Sequence, residues 1–481
     1  MIGQKKEYNS KDTNLVAIRA GVWFTICNIL QRGIQFVYMP LYTRLLSPEG
    51  YGRYASFTTW SNILAVFATL NLCNAVFTNA MIEFKENRQD YLSSMYGLSF
   101  VTTTVSFVVM YPLNLVFIQF THFDPIEMIF AFVGIYFQMV ILLWSAYEKF
   151  EFRYKILIMV TILVSVLNPA ISIALYYLTA LNYFSFIIGY CAPYLLVGIA
   201  LIFDVFKKNT RLYDKNYWTF AINFSLPLIP HYLSNNILSQ SDRLMIKHYY
   251  GDYYTGIYTL SAQLSVAISI VFFGINNSLS PWTYRMLDEK NEKQVRYTYR
   301  RILYLGIYLS VGIMLFAPEI IEILGSDKFI EAVSIVPDLV VATYIMFLNI
   351  LILNILFFFK LNGGIMVATV FGAIVNVLLN YALLPKYGYE IAGATTIVGF
   401  ICIYIINSVT LVRYKREILD VKLFFTSILV LFGLSRIVKT MNYIHANIII
   451  KSLFNMVTTI VAVIIYKEQI LSIITKYRRA K

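Results

Sequence analysis

Apolar residues run along this chain in long, nearly unbroken stretches, and polar residues gather in short knots between them. Fourteen stretches stand out, with approximate cores at 14–37, 54–80, 93–118, 126–147, 156–179, 184–204, 219–240, 255–280, 302–323, 333–359, 364–384, 391–412, 423–442 and 446–466. Each reaches or approaches the ~20 residues an α-helix needs to cross about 30 Å of hydrocarbon. The pattern predicts an all-α polytopic membrane protein with fourteen transmembrane helices. The connections are expected to be short. The longest, 281–301 (PWTYRMLDEKNEKQVRYTYRR), is too small to house a soluble domain.

The pattern also repeats. Shifted by 204 residues, SPEGYGRYASFTTWS (47–61) falls on GDYYTGIYTLSAQLS (251–265), so that Gly52 meets Gly256, Tyr54 meets Tyr258 and Ser61 meets Ser265. Such a shift spans six helices, which keeps both copies in one orientation: a parallel duplication. The expected organisation is an N-lobe at 1–206 (helices 1–6), a C-lobe at 207–417 (helices 7–12) and a C-terminal part at 418–481 with helices 13–14 and a basic tail. Two repeated lobes are a common transporter design.

Composition agrees. Hydrophobic residues make up 59% and charged residues 14%, with a mean hydropathy of +0.66. A soluble domain carries about a quarter charged residues. Charge then sets orientation. With the N-terminus in the cytoplasm, the termini and even-numbered connections hold 28 of the 39 Lys and Arg, the opposite side holds 8, and Arg19, Arg32 and Lys451 lie within segments. That asymmetry is the positive-inside signature. It puts both termini in the cytoplasm and the stretches 40–53 and 243–253 outside. The net charge of +13 is thereby explained by orientation and anionic headgroups, with no call for nucleic acid. No small-residue cleavage site follows the first apolar run, so no removed signal peptide is expected. Cys27, Cys73, Cys191 and Cys402 fall inside spans and read as packing residues; no metal is expected. Walker A, HExxH, GxSxG and CxxC patterns are missing from the sequence, and no catalytic residues are expected.

Polar residues inside the apolar stretches are the candidate chemistry. Helix 1 carries Thr25, Asn28, Arg32 and Gln35 at spacings of three and four, so they share one face. A cation at mid-membrane costs about 2.5–3.5 kcal/mol even on the lenient insertion scale, so this face must look at a partner helix or a wet cavity. Arg19 lies nearer the cytoplasmic end, where snorkelling to the interface competes with a cavity role. Helix 7, the repeat partner of helix 1, is interrupted by Pro227 and Pro230. Beyond the break His231, Asn235, Ser239 and Asp242 share a face and Arg243 follows, with a local ion pair as the alternative for the last two. Helix 8 shows Tyr258, Ser261, Ser265, Ser269 and Asn276 at helical spacing, which small-residue packing also explains. Asn376 and Asn380 share a face of helix 11, where interhelical hydrogen bonding is expected. No acid lies between Asp12 and Glu49, so helix 1 favours an anionic, hydrogen-bonding cargo.

LQRGIQFVYMPLYTRLLSPEGYGRY resembles the start of the polysaccharide transport proteins, the Wzx-type flippases, through Pro40, Thr43, Arg44, Leu46, Pro48, Tyr51, Gly52 and Tyr54. SDRLMIKHYYGDYYTGIYTLSAQL resembles the second-half signature of that family through Asp242, Arg243, Ile246, Gly256 and Tyr258. NVLLNYALLPKYGYEIAGATT resembles the superfamily's helix 11–12 turn through Asn376, Asn380, Pro385, Gly388, Gly393 and Ala394. The likeness covers about residues 12–415. It implies a twelve-helix core like that of the MATE and lipid II flippases. It also implies a cargo of undecaprenyl-diphosphate-linked glycan moved from the inner to the outer leaflet of a bacterial cytoplasmic membrane. The expected substrate-binding residues are Arg32, Arg19, Asn28, Gln35, His231, Asn235, Asp242 and Arg243. Pro40, Arg44, Pro48, Gly52 and Gly256 are expected to serve structure and gating in outer loops, with Pro48 and Gly52 as turn chemistry. No cofactor is implied, and H+, Na+ and the membrane potential all remain open as couplings. A polymerase and chain-length machinery are the implied partners. A MATE-type antiporter would want intramembrane carboxylates, a glycosyltransferase or polymerase would want a large outer loop, and a scaffold would leave the polar faces unexplained.

Overall fold

The computed structural model describes residue 34 and residues 36–151, 153–208, 211–361, 363–414, 418–444, 447 and 449–460. Contacts divide the chain between Asn236 and Ile237.

In the first unit, residues 36–45 form α1, and α2 (Pro48–Thr69) starts after a turn of only Leu46 and Ser47. The Ser47 hydroxyl accepts from the Gly50 N–H at 3.2 Å, and Pro48 occupies the first turn, where its missing N–H costs nothing. The expected outer loop is therefore nearly all helix. Pro40 and Arg44 lie in α1, and Gly52 is buried inside α2. Pro48 and Gly52, expected as turn chemistry, here stand at the start and in the interior of a helix. Leu70 and Asn71 take φ of 48° and 50° and end α2, and the chain resumes as α3 (Ala75–Glu83), so the span expected at 54–80 is broken. There follow α4 (Arg88–Val116), the single turn α5 (Ile118–Thr121), α6 (Pro125–Phe150), α7 (Tyr154–Leu178), α8 (Phe184–Lys208) and α9 (Lys215–Ser225). Helix α6 packs against α2, α4 and α8, and α7 lies against α8. One core gathers Tyr91, Met95, Tyr96, Met139 and Leu143; a second gathers Phe57, Phe123, Phe132 and Ile187. After Ser225 the backbone tightens into a 3-10 turn at Leu226–Leu228, the interruption that Pro227 foretells, and α10 (Ile229–Asp288) begins.

Most of α10 belongs to the second unit. Its backbone is helical except at Gly251, with φ 81° and ψ −175°. The hydroxyl of Tyr258 nevertheless reaches the Asp242 carboxylate at 2.6 Å. Sixteen residues of straight helix would hold these two about 24 Å apart. The chain thus doubles back at one residue, where an outer loop was expected, and Gly256 lies buried in the returning rod rather than in a loop. Shifted by 204, this corner falls on Ser47, the corner between α1 and α2.

Only three residues separate α10 from α11 (Glu292–Leu315), so 281–301 is a helical extension with a short turn. Charge knots read as loops because polar residues leave the membrane, yet helices continue past the interface. Helix α12 (Ala317–Gly325) is bent by 58° from α11, next to Pro318, so the span at 302–323 is bent too. After a 3-10 stretch come α13 (Val336–Phe358), α14 (Gly363–Tyr387), α15 (Ile391–Tyr414), α16 (Val421–Tyr443) and α17 (Ile449–Ile460). Val336 to Ala342 are all buried, so α13 is enclosed on every side. It packs against α11, α15 and α16. Among the described residues nine helical stretches are long and apolar enough to cross a membrane, ten with the bent pair. One of the nine is the folded-back stretch Lys215–Asp288.

Candidate functional site

The second unit is organised around one acid. Asp242, near the end of the outgoing rod of α10, is 3% exposed. One carboxylate oxygen accepts from the Asn380 amide at 2.5 Å. The other accepts from the Tyr258 hydroxyl at 2.6 Å and the Thr396 hydroxyl at 2.7 Å. A second ring of bonds holds the donors. The Thr395 hydroxyl donates to the Asn380 carbonyl at 2.5 Å, and the Ser241 hydroxyl donates to Asn376 at 3.3 Å. Both rods of α10, α14 and α15 are tied at this point. The second and third motifs quoted from the sequence are here one buried network. Tyr258, Thr395 and Thr396 are the residues missed as partners, and their signal lay within the quoted GIYTL and GATT segments. Each of the three contacts to Asp242 points an N–H or O–H at the carboxylate, which is the surrounding of a buried acceptor and not an oxygen cage for a metal cation. Among the described residues no group of three or more His, Cys, Asp and Glu could hold a metal.

The first unit makes the equivalent tie without an acid. Tyr42 of α1 donates to Asn168 at 2.8 Å and Ser172 at 3.2 Å on α7, and Tyr176 donates to the Leu45 carbonyl at 3.0 Å. Ser172 and Tyr176 lie 204 residues before Asn376 and Asn380, so the repeat holds in the contacts of each unit. Outside the spans, Tyr183 donates to Glu127 at 3.2 Å under the Arg53 guanidinium, 4.5 Å from its ring. Burial, and then the Glu127 charge, push its phenol up to about 12.

The other predicted residues are placed as follows. Arg19, Asn28, Arg32 and Gln35 lie outside the described residues. His231 is half-buried and its ring nitrogen pairs with the exposed Asn235 amide at 3.2 Å. Arg243 turns from its neighbour Asp242 to donate to Gln240 at 2.8 Å, so the local ion pair is not what organises this corner. The remaining buried acids are also engaged. Glu148 has Arg153 at 3.8 Å, and Asp338, 4% exposed, takes Arg436 and Lys439 from the C-terminal part of α16. Lys451 of α17, also buried, meets Glu319 of α12 at 2.7 Å.

A family model described as "Polysaccharide biosynthesis protein" matches residues 18–287, more than half of the chain, and one described as "MatE" matches residues 227–382. A protein of the Lsg locus of Haemophilus influenzae is 29% identical over 167 residues, 34% of this chain; the match spans only 41% of that relative. Among solved structures, the lipid II flippase MurJ in an inward closed conformation superposes with a TM-score of 0.69 at 16% identity, covering 93% of this chain and 100% of that one. An inward-facing MATE multidrug resistance transporter of the MOP superfamily gives 0.57 at 14%, covering 86% and 96%. A MOP superfamily transporter from Pyrococcus furiosus gives 0.54 at 16%, covering 90% and 99%. These likenesses show the fold.

Proposed function

The chain belongs to the polysaccharide biosynthesis protein family, and from that membership we propose that it is a flippase for undecaprenyl-diphosphate-linked oligosaccharide repeat units. It carries them from the inner to the outer leaflet of a bacterial cytoplasmic membrane by alternating access, for assembly of a surface polysaccharide. A polymerase and chain-length machinery are its downstream partners. The observation that carries this reading over export of cationic compounds is the fate of the buried acids. Among the described residues Glu127, Glu148, Asp242 and Asp338 are each answered by a protein donor or cation, and helix 1 has no acid at all. The cationic, amide-bearing face of helix 1 suits a diphosphate, and guanidinium forks match phosphate oxygens. In this reading Arg32, with Arg19 towards the cytoplasm, contacts the diphosphate, and Asn28, Gln35, His231 and Asn235 bond sugars. The coupling ion in this reading is a proton, which Asp242 takes up in exchange for one of its three donors.

Deletion of the gene tests the reading. Lipid-linked repeat units should accumulate at the inner leaflet and surface polysaccharide should vanish. In that strain Arg32→Ala should fail to restore export at normal protein abundance, and Arg32→Lys should restore part of it. Unchanged surface polysaccharide in the deletion strain rejects the function. Full rescue by Arg32→Ala rejects the role of that residue.

A further inference from the structure

Around its circumference α9 presents three different edges. Tyr217, Ala221 and Ser225, four residues apart, are buried. Tyr217 packs edge-on against Phe84 at 4.7 Å and Tyr91 at 5.5 Å, and the Trp218 indole donates to the Ser94 hydroxyl at 3.1 Å. These contacts hold the helix. The far edge carries Asn216, Thr219 and Asn223, all exposed, at spacings of three and four that put them within about 60° of one another. Phe220 and Phe224 lie between the two edges, with ring centroids 6.1 Å apart and planes 27° from parallel. With Glu83 and Lys215 these groups line an open groove of about 650 Å³. Small-molecule sites occupy roughly 300–1,000 Å³. The side chains of Asn216, Thr219 and Asn223 have no hydrogen-bond partner among the described residues.

We propose that this groove is a saccharide subsite, which holds a sugar ring of the cargo head before translocation. The inference rests on the flippase reading. An amide offers donors and an acceptor side by side, the complement of ring hydroxyls that both give and accept. The phenyl faces cover the apolar C–H face of the same ring. A phosphate would call for cations, and the groove has one lysine balanced by one glutamate. An alkyl chain would leave three polar groups unanswered. The groove sits where α3 ends and α9 begins; the connections flanking these helices carry Lys85, Arg88, Lys207 and Arg211, none of which lines the groove, with Arg88 paired to Glu151 and Arg211 to Asp214. By the positive-inside asymmetry that is the cytoplasmic side, where the cargo is loaded.

The test uses the full chain in detergent and, as probe, the free oligosaccharide repeat unit cut from the surface polysaccharide of the strain that carries the gene. Wild-type protein should bind it, and Asn216→Ala/Asn223→Ala should bind about tenfold more weakly, the size of two ordinary hydrogen bonds. Its melting temperature should not change, because the side chains removed are exposed and make no hydrogen bond among the described residues. Thr219→Trp, which fills the groove, should also lower binding. Export measured as surface polysaccharide should fall in step. Equal binding by wild type and both variants overturns the subsite, as does an absence of binding by a wild-type protein whose deletion abolishes surface polysaccharide. A deletion strain that keeps its polysaccharide rejects the flippase reading instead.

Discussion

Asp242 accepts three hydrogen bonds inside the membrane with no cation among those donors. Each bond to a charged acceptor is worth about 1.5–3 kcal/mol, and a buried donor left without its acceptor carries a desolvation penalty of similar size. Asp242→Asn keeps the shape but sets an amide N–H against one of the donors. It should lower stability by about 2–4 kcal/mol, and Tyr258→Phe, which removes one donor and keeps the ring, by about 1–2 kcal/mol. Melting temperatures of the purified proteins should fall in that order. An unchanged temperature for Asp242→Asn would mean that the carboxylate is not the acceptor around which the unit is built. The sequence shows each partner of this network singly, on helical faces and in quoted motifs. It does not show which face meets which, because pairing between helices leaves no period in one chain. Asp242 therefore reads as a cargo contact on a polar face, although Tyr258, Asn380 and Thr396 cover it.

Helices are legible here from apolar length, and corners are not. The stretches 40–53, with Pro48 and Gly52 as turn chemistry, and 243–253 both read as outer loops, yet one holds a capped helix start and the other a reversal at a single residue. With φ 81° and ψ −175°, Gly251 sits in a region essentially closed to other residues, at a cost of about 1–3 kcal/mol. A Cβ there would touch nothing within 4 Å, so the penalty is purely one of backbone. Gly251→Ala should destabilise by about that amount, and Gly251→Asn should give no relief, since its ψ lies far from the left-handed helical region. Gly433→Ala, in the interior of α16 with equally open space, is the control and should be neutral or stabilising by up to about 1 kcal/mol. Thermal unfolding of the three variants separates strain from crowding. If Gly251→Ala melts with Gly433→Ala, the corner is not strained.

For the whole molecule, the charge asymmetry fixes an expected sidedness that helix geometry alone does not. Glu49 and Lys290 are both exposed at helix ends and fall on opposite sides of the membrane in that scheme. In a cysteine-free background, a membrane-impermeant thiol reagent added from outside should label Glu49→Cys and spare Lys290→Cys. The reverse pattern would invert the orientation and with it the side assigned to the groove on α9. The family was readable, because Pro40, Arg44 and Gly52, the last repeated at Gly256, survive as local motifs. The identity of the glycan was not, since sugar contacts are made by common amides and rings whose meaning depends on which groove they share.

The reversal at Gly251 also bears on how the protein is made. A connection of one residue leaves almost no hydrophilic chain to be hauled through the bilayer during synthesis. Lys247, 8% exposed, stands 3.2 Å from Asp252 across the corner. A lone lysine at the centre of an inserting helix costs about 2.5–3.5 kcal/mol, and this one travels with its counter-ion. Residues 229–288 can therefore leave the ribosome and enter the membrane as one preformed helical hairpin whose leading tip is electrically neutral.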